Sequence, residues 1–446
     1  MKFGFAKSDI TPRVGVELCG FGAYILRKSI GVRERLWARA MAVEHDGKRA
    51  VLVSCDLIGI TLALTRQTRR LVRETTGLPD DALMVHCTHT HSGPGIGAYI
   101  GWGEPDAPYS ELLPDRIAKA CREALVNLQE ATLSHAQVPC EGIGYNREYD
   151  KMPPFPEPLA ENWRPAKPEM TDTTCHVLRV DAGGKTIGFL SYFGCHPVVC
   201  CAETRQIHGD YCGIATNLLE REHPGSVGLF LQGAQGDVNA CIVHKPEQES
   251  LQALDVVASR YARAVRAGLQ AARPVDVNAL AVCRREVTFT RKPWDRKKLA
   301  ELLAAEEALI HAPEATDTDQ KVRLAVVRAT ALRRMIATLD AGGSLQPPTE
   351  VHGLRLGQKI SFLGGPFEIF QAIKNDILRQ AKSPIPLVMG LTDDSIGYAV
   401  DCLKAAQGGY AADLVPLICG SLPFANVHEE LVKALLDLDA ALQSGE

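Results

Sequence analysis

RAVLVSCDLIGI (residues 49–60), TLALTRQTRRLVRETTG (61–77) and ALMVHCTHTH (82–91) follow one another almost without a gap, and their reading decides the fold. The first run is apolar and β-rich, as a buried strand is. The second has helical spacing, with Gly77 and Pro79 as a stop signal. The third reads as another strand, opening into the loop SGPGIG (92–97), and a further helix is predicted over SELLPDRIAKACREALVNL (110–128). A β-α-β-α opening predicts an α/β protein: a layered, mixed β-sheet core flanked by helices.

Outward from this unit the alternation continues. Residues 151–172 are proline-rich and aperiodic, which predicts a long loop, a candidate rim for a site. CHVLRVDAGGKTIGFLSYFGCHP (175–197) predicts a hairpin around AGGK. SVGLFLQGAQGD (226–237) predicts a buried strand running into a glycine-rich turn, and LDVVASRYARAVRAGLQAA (254–272) a helix. DRKKLAELLAAEEALIHA (295–312) and KVRLAVVRATALRRMIATLDA (321–341) predict two antiparallel helices, a hairpin inserted over 294–341. Strand-like runs then resume (KISFLGGPFEIF, 359–370; PLVMGLTDD, 386–394), so residues 1–446 are expected to form a single domain interrupted by that hairpin.

Composition narrows the classes of function. The 446 residues are 46% hydrophobic, enough for a sizeable core, and the net charge of −4 comes without a basic run. That excludes a nucleic-acid footprint and a polybasic membrane-binding stretch. No window approaches the ~20 apolar residues of a membrane-spanning helix. The N-terminus MKFGFAKSDITP has no apolar signal-peptide core. The 14 cysteines sit mainly in apolar runs and form no CxxC pair, so zinc-ribbon and thioredoxin-like readings fail. A reduced, cytoplasmic protein is expected.

Several clusters could carry chemistry. In THTHSGPG (88–95), His89 and His91 are two apart, so on a strand they project from the same face, while His86 points away. The C-terminal ends of strands are where α/β sheets bind ligands. Imidazole suits zinc, and a neighbouring imidazole can act as acid, base or oxyanion donor. The bland alternative is a hydrogen-bonded histidine pair at a strand end. His196 in CHP (195–197) is a second ligand or a satisfied core residue. In His208-Gly209-Asp210, direct ligation is the less favoured reading; Asp210 could instead orient a ligand imidazole. GAQGDVN (233–239) is a turn small enough for backbone to approach a ligand, or an ordinary tight turn. Glu368 in GGPFE (364–368) is a metal ligand or a first-turn helix carboxylate. Tyr398 and Tyr410 need hydrogen-bond partners if buried. Together these supply two imidazoles, a carboxylate and polar donors at strand ends, the three-ligand set of a catalytic zinc with one open position.

The ordered set THTHSGPG, FGCHP, GDV, PFE, and GY with a second tyrosine twelve residues on resembles the catalytic domain of the neutral/alkaline (non-lysosomal) ceramidases. SDITP…GFG near the start and PFANVHEELV (423–432) near the end resemble the same family, so the likeness spans nearly the whole chain apart from the helical insertion. It implies a zinc amidase in which His89, His196, Glu368 and Tyr398 hold Zn2+, tyrosine being the unusual ligand. It implies that His91, Arg147 (in GYNREY, 144–149) and Tyr410 surround the scissile carbonyl, with Asp237 and Asn239 binding substrate. Zinc-activated water would attack the carbonyl, the three polar side chains would stabilise the oxyanion, and Glu368 or His91 would pass a proton to the leaving amine. The family has serine after Gly-Asp-Val, contacting the ceramide head group. Here the residues are Asn239 and Ala240. The chain also ends where ceramidases continue into a β-sandwich. A small, soluble N-acyl compound is therefore the expected substrate, the chemistry outlasting the specificity. The rivals are a metal-dependent ester or lactone hydrolase acting on a sugar-like substrate and a non-catalytic binding protein of the same fold. No nucleic-acid partner or stable membrane insertion is expected; a plain inserted hairpin is the favoured reading of 294–341, and a homo-oligomer formed through it is left open.

Overall fold

The computed structural model describes residues 1–444. The run 49–60 forms the strand Lys48–Cys55 and the run 82–91 the strand Leu83–Cys87, paired in parallel. Between them lies α1 (Leu62–Thr76). It starts where the Thr61 hydroxyl accepts from Leu64 N and stops at Gly77, whose φ of 69° suits a residue without a Cβ. These strands edge a five-stranded sheet that continues through Trp37–His45, Lys2–Asp9 and Gln129–Glu130.

A second five-stranded sheet runs Val227–Gln232, Lys185–Phe193, Thr174–Ala182, Thr132–Pro139, Arg273–Pro274. It contains the expected hairpin as the antiparallel pair Thr174–Ala182 and Lys185–Phe193. A third, four-stranded sheet runs Leu280–Val287, Thr349–Leu356, Ile360–Gly364, Ile385–Met389. One face of each sheet enters a shared core: Phe5 and Met41 from the first, Leu178 and Leu190 from the second, Phe362 and Leu387 from the third. Two side-chain bonds fix the sheets to one another, Ser54 Oγ to Phe230 O at 2.7 Å and Tyr192 OH to Val388 O at 2.9 Å.

Helices cover the other faces. α1 and α2 (Ala107–Val126) pack on the first sheet. α3 (Asp210–Glu222) and α4 (Glu247–Ala271) pack on the second. The predicted hairpin forms as α5 (Arg296–Ile310) and α6 (Gln320–Asp340), capped by Asp295 and Asp319 and clasped by Arg328 on Glu306 at 2.6 and 2.7 Å. It interrupts the third sheet between two strands that pair with each other, Leu280–Val287 and Thr349–Leu356. α7 (Gln371–Gln380) and the helix Val427–Ser444 cover that sheet. The layered α/β architecture is thus as the sequence predicts. Each of the three large sheets contains one parallel pair, and the polar centre lies just past the C-terminal ends of strands in those pairs.

Candidate active site

His89 follows the first sheet's strand, His196 the second's, and Glu368 the third's. The strand-alternation argument for His89 and His91 does not hold. The strand ends at Cys87, and His89 adopts φ 73°, a left-handed conformation rare for a bulky residue. The segment instead runs on beside the end of the neighbouring strand, with Thr88 N bonded to Cys55 O and His89 N to Leu57 O, both at 2.9 Å. The turn at His89 brings its ring to 4.8 Å from that of His91 and 4.8 Å from that of His196. Glu368 sits on a two-residue strand paired in parallel with Tyr398–Ala399, so Glu368 and Tyr398 are register partners.

Two imidazoles are anchored alike. His89 Nδ1 lies 2.5 Å from Ile58 O and His196 Nδ1 2.5 Å from Gln235 O. A carbonyl only accepts, so each Nδ1 carries the hydrogen and each Nε2 presents a lone pair. Those lone pairs face Glu368 Oε2 at 3.1 and 2.9 Å. Burial lowers the His196 pKa to about 4, partly opposed by the bond to Glu368, so a second proton on that ring is disfavoured at neutral pH. Burial alone would raise the Glu368 carboxyl, and only positive charge on the side the two Nε2 atoms face would hold it ionised. Electron-rich atoms converging in a dry site are stable only around a cation, so this donor set fits a divalent metal.

His91 is placed differently. Its Nε2 is 3.2 Å from His89 Nε2, and ligand nitrogens of His89, His91 and His196 all lie within 4.8 Å of one another. By position, then, His91 joins His89 and His196 in a trio that could hold a metal. Yet its Nδ1 is buried with no partner, unlike the anchored pair. The ring packs on Gly20, where φ is +103° and an added Cβ would fall 2.5 Å from His91 Nδ1, which accounts for glycine in the GFG motif.

Arg147 binds three groups at the centre's edge: Nη2 donates to Tyr398 OH at 2.8 Å and to Gly236 O at 2.7 Å, and Nη1 to Asn239 Oδ1 at 3.2 Å. Tyr410 is half exposed, its ring 6.4 Å from that of Tyr398. A cavity of about 320 Å³ opens here, lined by Arg147, Asn239, Tyr398, Tyr410, His91 and His196.

Other sequence candidates lie elsewhere. Asp237 does not line the cavity: its Oδ1 accepts from Gln371 N and its Oδ2 from Asn146 Nδ2, both at 2.8 Å, so it braces the turn. Gly236 is small because Glu368's backbone passes close by; a Cβ there would lie 2.6 Å from Glu368 O. His208 accepts from Asp210 N at 3.1 Å and is not in the histidine cluster. Neither His89 nor His196 is oriented by Asp210, since backbone carbonyls do that. His86 is a core residue accepting from Gln232 N at 2.8 Å. The loop 151–172 contributes nothing to the cavity; Arg260 pins it by donating to the carbonyls of Pro158, Leu159 and Ala160. Trp102, His244 and Gln320, which do line the cavity, carry no sequence motif that marks them.

A carboxylate and imidazoles converging from three sheets define a mixed α/β protein with a buried centre of metal-binding type. The chain belongs to the neutral/alkaline non-lysosomal ceramidase family, whose N-terminal region matches residues 1–264. It is 27% identical over 312 residues to the neutral ceramidase of Pseudomonas aeruginosa, covering 66% of this chain and 45% of that protein. It is 26% identical over 224 residues to neutral ceramidase A of Dictyostelium discoideum, covering 47% and 31%. The chain thus spans less than half the length of the curated relatives it matches. The crystal structure of the Pseudomonas aeruginosa neutral ceramidase superposes with a TM-score of 0.75 at 20% identity, covering 99% of this chain and 74% of that one, so the two share a fold.

Proposed function

We propose that the chain is a zinc-dependent hydrolase that cleaves the amide bond of a small N-acyl compound. The observation that carries this reading is the pair of carbonyl-anchored imidazoles aiming Nε2 at the Glu368 carboxylate. Ligating histidines almost always donate their other N–H in this way. His89, His196 and Glu368 would hold the ion, with Tyr398 OH beside them. When bound, a divalent ion supplies Lewis acidity and acidifies water towards neutral pH.

The remaining chemistry falls to the chain. Arg147 fixes the hydroxyl of Tyr398 and, with Tyr410, supplies donors where negative charge develops on a carbonyl oxygen. His91 has no carbonyl anchor, which favours proton transfer over ligation. Burial above all pushes its pKa well below the ordinary value, so it rests neutral. Family membership supports amide cleavage. The cavity supports a small substrate, since about 320 Å³ is at the low end of ligand pockets, roughly 300–1,000 Å³. All 14 cysteines are unpaired, which supports the proposal of a reducing, cytoplasmic location. Among the described residues no helix is long and apolar enough to cross a membrane.

Zinc titration of metal-free protein tests the reading. One ion per chain is expected, and His89→Ala should lose both the ion and amide turnover while still melting cooperatively. Turnover that survives in His89→Ala would sink it.

A further inference from the structure

Of the three imidazoles at the centre, two are fixed by their own Nδ1 and one is not. His89 and His196 give that hydrogen to carbonyls at 2.5 Å, whereas His91 Nδ1 is buried without a partner. A ring without such a bond keeps its aim only if its main chain and its packing are fixed from elsewhere. Arg27 supplies both. Its Nη1 donates to His91 O at 2.6 Å, and Nη2 reaches Ser92 Oγ at 3.4 Å. The same guanidinium lies over the Phe21 ring, 4.7 Å from its centre, and Phe21 meets the His91 ring edge to face with 5.5 Å between centroids.

The rest of the fork ties this grip to two other segments. Nε and Nη2 both donate to Thr204 O, at 3.0 and 2.7 Å, and Nη1 also reaches Cys19 O at 3.3 Å. Every one of these acceptors is neutral, a carbonyl or a hydroxyl. Arg27 is 3% exposed. Burial lowers its pKa to about 10, which still leaves it charged at neutral pH. A buried cation bonded to no carboxylate is costly to keep. The segment leading to it is strained as well: Phe21 adopts φ 65°, and Tyr24 and Leu26 φ 50°, in the left-handed region that bulky side chains avoid. Strain of this kind persists where the surrounding structure over-determines it, and here it delivers one aromatic ring against one imidazole.

Resting on the proton-transfer reading of His91 above, we propose that Arg27 is a positioning residue that aims the His91 imidazole, through the His91 carbonyl and through the Phe21 ring. Arg27 is not part of the cavity lining, so it acts on the rate only through the ring it holds. This hold needs the planar fork. A lysine ammonium keeps the charge and can reach one carbonyl, but it cannot also bond Thr204 O while covering Phe21.

The test uses the zinc-loaded full chain and whichever of N-acetylglycine, N-hexanoylglycine and N-palmitoylglycine it cleaves fastest. Arg27→Lys should lower kcat per bound zinc by about 10–100-fold, the scale of a misplacement of about 1 Å, with KM and zinc affinity within about twofold of wild type. A double-mutant cycle separates aiming from general loosening. His91→Ala should run about 10²–10⁴-fold below wild type. Adding Arg27→Lys to it should then change kcat by less than about twofold. A larger further loss in that background overturns the proposal, and so does an Arg27→Lys protein as fast as wild type. If Arg27→Lys does not fold, Phe21→Leu carries the same cycle, since a contact with substrate shows in KM and the hold on His91 in kcat. Wild-type protein that cleaves none of the three amides fails the hydrolase reading alone. In that case, or if His91→Ala leaves no measurable rate, nitrogen NMR of the histidine rings decides. In the folded variant the His91 signals should shift or broaden while those of His89 and His196 stay in place; His91 signals that match wild type overturn the proposal.

Discussion

Two buried carboxylate clusters in this molecule are built on opposite principles. Beneath α1, Arg69 donates to Glu350 at 2.5 Å and pairs with Asp393 at 2.6 Å, Arg284 reaches Glu350 at 2.6 Å, and His352 meets Asp393 at 2.7 Å. Burial would raise Asp393, but Arg69 and His352 outweigh it and hold it below the usual carboxylate range. Every acid there has a cation supplied by the chain. Glu368, equally buried, faces two imidazoles whose N–H groups point away from it. The first cluster is complete as folded and fastens α1 to the third sheet. The second leaves its charge for something from outside to balance. Charge balance, rather than burial, separates scaffold from chemistry here.

The largest expected effect breaks the second cluster. Glu368→Gln keeps the shape and removes the charge, so amide turnover should fall to background, a loss on the order of 10⁶ or more for a typical enzymatic acceleration. In wild type, zinc at a hundred times its Kd should add about 2.7 kcal/mol of stability. Calorimetry should find no such gain in the variant, and a retained gain would count against Glu368 as a ligand. The first cluster should behave in the converse way. Arg69→Met takes away the cation that Glu350 and Asp393 share, costing about 3–5 kcal/mol in urea unfolding, with zinc stoichiometry unchanged. Lost zinc binding in a folded Arg69→Met protein would erase the distinction.

The contrast explains what the sequence made legible. His89, His196 and Glu368 each stand just past an apolar run, and such runs become strands whose ends meet. The reading of His89 and His91 as strand alternation was wrong in its reason, since the strand stops at Cys87 and a left-handed turn aims the ring. Asp237 braces its turn through Gln371 N, a partner 134 residues away that the GDV motif cannot reveal. His244 and Gln320 reach the cavity by long-range packing alone. The strands Lys2–Asp9 and Thr132–Pro139 lack a strong apolar run of their own and take their pairing from neighbours.

Asp210 sharpens the comparison with a third arrangement: a buried carboxyl matched by neither cation nor metal. Its Oδ2 has no partner, and burial pushes its pKa up to about 7. The folded state therefore keeps a proton that the unfolded chain releases near 3.9. Stability from this group is fullest below that value and is lost as pH rises through about 7. Asp210→Asn removes the loss. Above neutral pH it should be more stable than wild type by on the order of a few kcal/mol, with the gap closing in acid. Denaturant midpoints across pH check this, and a parallel shift at all pH values would contradict it.

The smallest effect asks whether charge or geometry matters at the centre's edge. Arg147 spreads one cation over Tyr398 OH, Gly236 O and Asn239 Oδ1. Lysine keeps the charge but, as a single ammonium on a flexible stem, cannot reproduce the planar fork. If the positive charge alone balances Glu368 and the developing oxyanion, Arg147→Lys should leave kcat/KM within about twofold. The three bonds argue otherwise, because they hold the Tyr398 hydroxyl and turn the Asn239 amide within the cavity. Losing one or two such bonds is worth about 1–3 kcal/mol, or roughly 10–10² in kcat/KM. Zinc content should be unchanged, since none of the anchored imidazoles depends on Arg147. A rate loss with full zinc occupancy places Arg147 among the groups that orient the reacting amide. Loss of zinc along with rate would instead put the guanidinium in the charge balance that holds the ion, drawing the boundary of the outward-looking cluster one residue wider.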